Sequence, residues 1–353
     1  MKILFFDSRL PKGHFSINRK YLRIMSKFSN INLCADSSLA DDINNIEVIN
    51  INWAQNSNKN SSYSNRINSL CNIIKVSRVI NKTNPDIIYV ASYDIITWFV
   101  SCPLLFKFRD RILIQEHDNI DQLHNRLKYR LFSLYKNLFR HLVFEEYIKD
   151  RLLELGVHEN MVYVIPHPVP KIEGIIAEAK DNNLIIGLSN SNSEYLIEDI
   201  VRCQKENHIL QKTGHKMILK SKNIKYNDSF LVCLNGWISS EDYKNWCSEC
   251  NSFLIPFPKN GYSYRVSNVF MEAVSLKKHI IASRFPLAEF YSKKYPGLCS
   301  IYDNPDRIIE LLNVNNYNFE VSRNKFLEDH SDEKIEQCFK EIFETIIKER
   351  ESK

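Results

Sequence analysis

Residues 260–286 read NGYSYRVSNVFMEAVSLKKHIIASRFP. At a helical period this stretch sets Arg265, Asn268 and Glu272 at i, i+3 and i+7 along one face, with Val266, Val269, Phe270, Ala273 and Val274 on the other. HIIAS, 279–283, follows as a short apolar run of strand type. An apolar helix with a polar stripe, placed directly before a buried strand, reads as part of an α/β domain whose polar face meets a ligand.

The same alternation of short apolar runs with longer helical patterns extends in both directions. In the first half the strand candidates are KILFF (2–6), INLCA (31–35), VININ (48–52), DIIYVA (86–91), RILIQ (111–115), HLVFE (141–145) and MVYVIP (161–166). In the second they are NLIIGL (183–188), KMILK (216–220), FLVCL (230–234), SFLIPF (252–257), HIIAS and LCSIY (298–302). Between the two sets, VIPHPVPKI (164–172) holds three prolines in five residues and can continue neither a helix nor a central strand.

The fold class expected is therefore α/β, with two Rossmann-like doubly wound domains. The boundaries expected are 1–165, a linker at 166–172, 173–330, and a terminal amphipathic helix at 331–353. That helix carries Ile335, Phe339, Ile342, Phe343 and Ile346 on one stripe and must dock on something. Ligands are expected at the carboxyl ends of the strands, facing a crevice between the domains.

Composition narrows the function classes. A net charge of +5 spread over 353 residues gives no basic stripe of the kind nucleic acid needs, so no nucleic-acid partner is expected. With 8 glycines in the whole chain, a multi-glycine phosphate cradle is absent. The nine cysteines are scattered without framework spacing, which suits a reduced, cytoplasmic compartment, and the single CxxC at Cys247 and Cys250 has no second pair to complete a metal set. The apolar run at Ile3–Phe6 is too short for a signal peptide, and no window approaches a membrane span.

Polar residues collect at the strand ends. The fifth strand runs out into Glu116, His117, Asp118 and Asn119, the first into Asp7 to His14, and the fourth into Ser92, Tyr93 and Asp94. His117 is the candidate general base or sugar contact, with Asp118 as the neighbouring carboxylate that fixes its tautomer. Gly13, His14 and Glu116 are assigned to the acceptor side, Gly13 because it lets backbone approach a ligand. Residues 125–142 contain five cations, no acid and interleaved aromatics, the pattern of a helix that lies on an anionic membrane surface. In the second half, NGWISSEDYKNW (235–246) places Gly236 after a strand, Trp237 beside it, and Ser239 or Ser240 as the cap of a helix.

Four stretches together resemble the group 1 (family 4) glycosyltransferases of the GT-B fold. They are FEEYIKDRLLELGVHENMVYVIPHPV (144–169), LIIGLS (184–189), CLNGWISSEDYKNWCSECNSFLIPFP (233–258) and the opening stretch. The resemblance implies a nucleotide-sugar donor on the C-terminal domain and a carbohydrate or lipid-linked acceptor on the N-terminal domain. It implies catalysis with no cofactor and no obligatory metal, retention of anomeric configuration, and a last helix that crosses back to the first domain.

By position, Glu272 matches the second acid of the family's paired-glutamate motif, which binds the ribose hydroxyls; Tyr264 stands where the first acid is expected. The loop SNSNSEYL (189–196) lacks the cations the family uses on the diphosphate. Arg265 with the amides around Ser267 and Asn268, assisted by Lys220 or Lys222, is the substitute expected. Two rival readings share the fold: a nucleotide-sugar 2-epimerase, and a degenerate subunit that binds sugar or a partner without catalysis.

Overall fold

The computed structural model describes residues 1–7, 14–51, 62–172, 183–312 and 318–352. The chain divides into two compact units, Met1–Pro168 with His330–Lys353, and Val169–Asp329.

Unit 1 runs β1 (Lys2–Asp7), α1 (Phe15–Met25), β2 (Asn30–Cys34), β3 (Ile46–Val48), α2 (Ser62–Thr83), β4 (Ile87–Ser92) and α3 (Ile95–Leu105). It continues with β5 (Ile112–Gln115), α4 (Arg126–Tyr135), β6 (Arg140–Val143), α5 (Glu146–Glu154) and β7 (Val162–Val164). All seven strands are parallel, in the order β3-β2-β1-β4-β5-β6-β7. The apolar runs fall on these strands except VININ, which shares only Val48 with β3. That strand lies at the sheet edge with an exposed pattern, so hydrophobicity does not mark it.

Chain order reverses between β1 and β4. Right-handed crossovers then put α1 on one face of the sheet and α2, α3 and α4 on the other. The closing helix, Asp332–Glu351, belongs to unit 1 and covers the α1 face. Its Phe339 meets Tyr21 at 5.1 Å and Tyr89 at 5.9 Å between ring centroids, and Ile335, Ile342, Phe343 and Ile346 are buried beside it. Lys20–Asp332 (2.8 Å) and Arg140–Glu349 (2.7 Å) tie its two ends.

Unit 2 runs β8 (Leu184–Gly187), α6 (Glu194–Asn207), α7 (Ile209–Thr213), β9 (Lys216–Lys220), β10 (Tyr226–Asn227), β11 (Leu231–Leu234), α8 (Ser240–Glu249) and β12 (Ser252–Ile255). Then come α9 (Asn268–Ser275), β13 (His279–Ser283), α10 (Pro286–Lys294), β14 (Cys299–Tyr302), α11 (Ile308–Leu312) and α12 (Phe319–Asp329), so the terminal helix is α13. The sheet order is β10-β11-β9-β8-β12-β13-β14, parallel apart from β10, which pairs antiparallel with β11. Chain order reverses between β8 and β12. Gly187 closes β8 there, where a Cβ would lie 2.8 Å from Leu219 and 2.9 Å from the Leu254 carbonyl. Only glycine lets the strands pack this closely at that point.

The opening stretch folds differently from its helical reading in one respect. Ser267 is extended (φ −99°, ψ 118°), and its hydroxyl accepts from the Phe270 amide at 3.2 Å, so the helix starts at Asn268. Asn268 and Glu272 keep their shared face, whereas Arg265 lies in the loop ahead of the cap. The periodicity was continuous across Ser267, but the cap hydrogen bond overrides it.

Candidate active site

In unit 1 the strands that flank the order reversal are braced by Asp7, which is 2% exposed. One carboxylate oxygen accepts from the Ser92 hydroxyl and the other from the Asn18 amide at 3.0 Å, joining β1, β4 and α1. Asp94 caps α3, accepting from the amides of Ile96 and Thr97 at 3.2 and 3.1 Å.

His117 is buried, its ring stacked on that of His14 at 3.9 Å and 20° and tilted against Phe144 at 5.1 Å. Its Nε2 bonds the side-chain amide of Gln115. The Gln115 carbonyl oxygen takes the Tyr89 hydroxyl, and the nitrogen also faces the Ala91 carbonyl at 3.5 Å, which can only accept, so the amide nitrogen is the group facing His117. An amide nitrogen only donates, and therefore Nε2 accepts and the ring proton of neutral His117 resides on Nδ1. Asp118 accepts from Gln122 Nε2 at 2.9 Å. The group that sets the His117 tautomer is thus Gln115, at the end of a buried strand, in the role expected of Asp118.

Glu116 requires a correction. Side chains alternate along β5, so the residue between Gln115 and His117 points to the opposite face. There Glu116 is 1% exposed, accepts the Tyr93 hydroxyl at 2.8 Å, and pairs with His141 Nδ1 at 2.8 Å. His141 Nε2 donates to the Lys136 carbonyl at 2.7 Å. The carboxylate expected on the acceptor side is therefore spent in a core network. His14 sits at the entrance to α1, and Gly13 lies outside the described residues.

The helix read at 125–142 also changes. It ends at Tyr135; Lys136 donates to the Leu155 carbonyl, and Arg140 is buried on β6 against Glu349 and the Asp110 carbonyl. Its exposed cations are Arg126 and Arg130, while half-buried Lys128 donates to the Gln122 side-chain carbonyl.

His167, in the proline-rich segment, is 1% exposed and packs edge-on against Phe144 at 5.1 Å. Burial, with His330, His14 and Lys20 nearby, pushes its imidazole down to about 3. The His167 carbonyl accepts from His330 Nδ1 at 2.8 Å, and His330 Nε2 stands 3.4 Å from Glu145. The folded pKa lies below the unfolded value, so the unfolded chain binds more protons between pH ~6.5 and about 3. Stability should fall as pH drops through that window, by roughly 1 kcal/mol per pH unit. Urea titrations at pH 7, 6 and 5 should show the decline, and His167→Asn should flatten it; an equally steep decline in the variant would reject this assignment.

In unit 2, Glu272 lies one turn into α9, where the Tyr243 hydroxyl of α8 donates to its Oε2. Burial raises the Glu272 pKa and the Tyr243 hydrogen bond opposes that rise. Asn268 is on the same face, and Ser267 is consumed as the cap. Arg265 donates from Nη2 to the Gly261 carbonyl at 2.9 Å and lies 5.1 Å over the Tyr262 ring, so it folds onto its own loop next to half-buried Tyr264.

The loop after β8 carries no cation over 189–196, and its one carboxylate is Glu194. Glu194 accepts from the Ser221 hydroxyl and the amides of Lys222 and Asn223 at 2.6, 2.8 and 3.1 Å. Asn192 donates to the carbonyls of Gly187 and Lys220 at 2.7 and 3.0 Å, fixing this loop to two strand ends. Burial lowers the pKa of the Lys220 ammonium. After β11, Gly236 adopts φ +89° with open space where a Cβ would be. Trp237 is 89% exposed, which removes it from the core. Ser239, rather than Ser240, caps α8 through the Asp242 amide at 3.0 Å. Both CxxC thiols are buried, and burial pushes Cys250 up to about 12.

No protein-family profile matches the chain, and no curated protein matches it in sequence. Solved structures match its whole length. HepE of Anabaena, in complex with UDP and glucose, is 13% identical over 97% of this chain and 99% of its own, with a TM-score of 0.67. Sucrose-phosphate synthase of Thermosynechococcus elongatus is 10% identical over 98% of both chains, also at 0.67. The UDP-GlcNAc 2-epimerase of Methanocaldococcus jannaschii is 14% identical over 92% of this chain and 98% of its own, at 0.57. At these identities the likeness establishes the fold: two Rossmann-like α/β units of the GT-B type with a closing C-terminal helix.

Proposed function

We propose that the chain is a glycosyltransferase that moves a hexosyl group from a nucleoside diphosphate donor to an acceptor hydroxyl, with retention of configuration. The setting would be cytoplasmic assembly of a surface polysaccharide or glycolipid, on a carbohydrate or lipid-linked acceptor. The observation that carries this reading is Glu272. Its carboxylate is held through one oxygen by Tyr243, one turn into a helix beside the order reversal of a doubly wound sheet. A carboxylate so oriented suits the vicinal diol of a ribose. The likeness to HepE bound to UDP and glucose supports the same class of donor.

In this reading unit 2 holds the donor. Glu272 takes the ribose, and Arg265 unfolds from Tyr262 to join the Asn268 end of α9 and Lys220 on the diphosphate. Gly236 and Trp237 offer open backbone and an exposed indole to the base, Tyr264 stands near the sugar, and Ser267 shapes the helix entrance. His117 and His14 of unit 1 serve the reacting sugar and the acceptor. No metal and no cofactor enters this scheme.

A thermal-shift panel of nucleoside diphosphates and their sugar conjugates tests it. At a hundredfold excess over Kd a true ligand stabilises by ~2.7 kcal/mol. If no nucleotide raises the melting temperature, the chain is a non-catalytic subunit. The likeness to the epimerase favours a second reading, epimerisation without an acceptor. Incubation with nucleotide-sugar alone separates the two: an epimer formed without acceptor would replace the transferase assignment.

A further inference from the structure

The α2, α3 and α4 layer of unit 1 has an outward surface unlike the rest of that unit. Tyr63, Ile67 and Ile74 project from α2, each more than a third exposed. Beside them are Val100 and Leu104 of α3 and Phe106 just after it. Next to those, α4 presents Leu127, Tyr129 and Leu134, the last 67% exposed. These residues do not fill a core; they lie on one face of the sheet, across three neighbouring helices.

The charges between them have one sign. Segments 62–83, 95–109 and 125–137 contain no Asp or Glu. Their exposed positions include Arg78, Lys82, Lys107, Arg126 and Arg130. Asp94, the acid at the start of α3, is committed to its helix cap and stands 3.7 Å from Arg66. By contrast, the α1–α13 face of the same sheet is charge-balanced, with Lys27 and Lys340 both on Glu336.

We infer that the α2–α3–α4 face docks flat on an anionic lipid bilayer. Aliphatic and aromatic side chains enter the boundary between headgroups and acyl chains, while the interleaved cations reach lipid phosphates. Charge complementarity selects this occupant over a second copy of the chain, since pairing two such faces would bring cation against cation. None of the described helices is long and apolar enough to cross a membrane, so attachment is by this surface. The inference does not depend on the sugar-transfer reading, because it concerns lipid binding without donor or acceptor.

Cys71 supplies a site-specific probe. It is exposed on the α2 stripe between Ile67 and Ile74, while the other cysteines are buried apart from half-buried Cys338. The full chain, with Cys338→Ser and an environment-sensitive fluorophore on Cys71, is mixed with phosphatidylcholine vesicles with and without phosphatidylglycerol. Co-sedimentation and a blue shift are expected only with phosphatidylglycerol, both declining with salt. Lys107→Gln with Arg126→Gln and Arg130→Gln should lower the partition coefficient roughly a hundredfold, about fivefold per cation. Leu127→Ser with Leu134→Ser should abolish the blue shift at an unchanged melting temperature. Equal binding to both vesicle types, or bound protein with no shift at Cys71, overturns the proposal. So does a dimer that the Leu127→Ser, Leu134→Ser variant converts to monomer without vesicles, since the face would then join two copies.

Discussion

Replacing Glu272 with alanine should weaken nucleoside diphosphate binding by about 3 kcal/mol or more, roughly a hundredfold in Kd. A carboxylate that accepts from two ribose hydroxyls makes two charge-assisted hydrogen bonds, each contributing ~1.5–3 kcal/mol. Glu272→Gln keeps one acceptor oxygen and should fall between. Tyr243→Phe isolates the positioning role. The hydroxyl donates to Oε2 and opposes the rise in pKa that burial imposes. Without it, the carboxyl should hold its proton to a higher pH. Nucleotide affinity in that variant should therefore begin to fall at a higher pH than in the parent as acid is added. Calorimetric titrations across pH, with melting temperatures of the free proteins as a control, measure both effects. An unchanged Kd in Glu272→Ala would show that the ribose binds elsewhere.

The sheets were legible because β-strands buried on both faces read as continuous apolar runs, and eleven of the thirteen runs named above coincide with strands through most of their length. β3 and β10 were not legible for the same reason: both lie at sheet edges, where apolar content is not required. The site was legible only in part. Asn268 and Glu272 follow from helical spacing, and Ser239 from cap chemistry. Arg265 depended on where the helix begins, which the local Ser267 cap decides, whereas the fates of Glu116 and Arg140 are decided by contacts distant in sequence. Arg140 and its partner Glu349 are more than two hundred residues apart, and the Tyr93–Glu116–His141 network joins three segments. No local pattern carries that information. Among the residues missed, Gln115 and Tyr243 matter most, because they orient the two side chains to which chemistry is assigned.

The second large effect is expected at His117, whose removal as alanine should lower kcat by about 10²–10³ with a small change in KM, the loss of one preorganised hydrogen-bond donor. The tautomer makes the test finer than a simple loss of activity. Gln115 donates to Nε2, so neutral His117 offers its proton from Nδ1, and a catalytic or sugar-binding hydrogen bond should leave from that atom. Asparagine places its amide nitrogen close to the position of Nδ1, whereas glutamine reaches toward that of Nε2. His117→Asn should retain more activity than His117→Gln. Gln115→Leu, which removes the donor to Nε2, should shift the pH profile of kcat, because both ring nitrogens then compete for the proton. Retention by glutamine rather than asparagine, or a pH profile untouched by Gln115→Leu, would mean that Nε2 carries the function. The Gln115 contact would then have to open before each turnover.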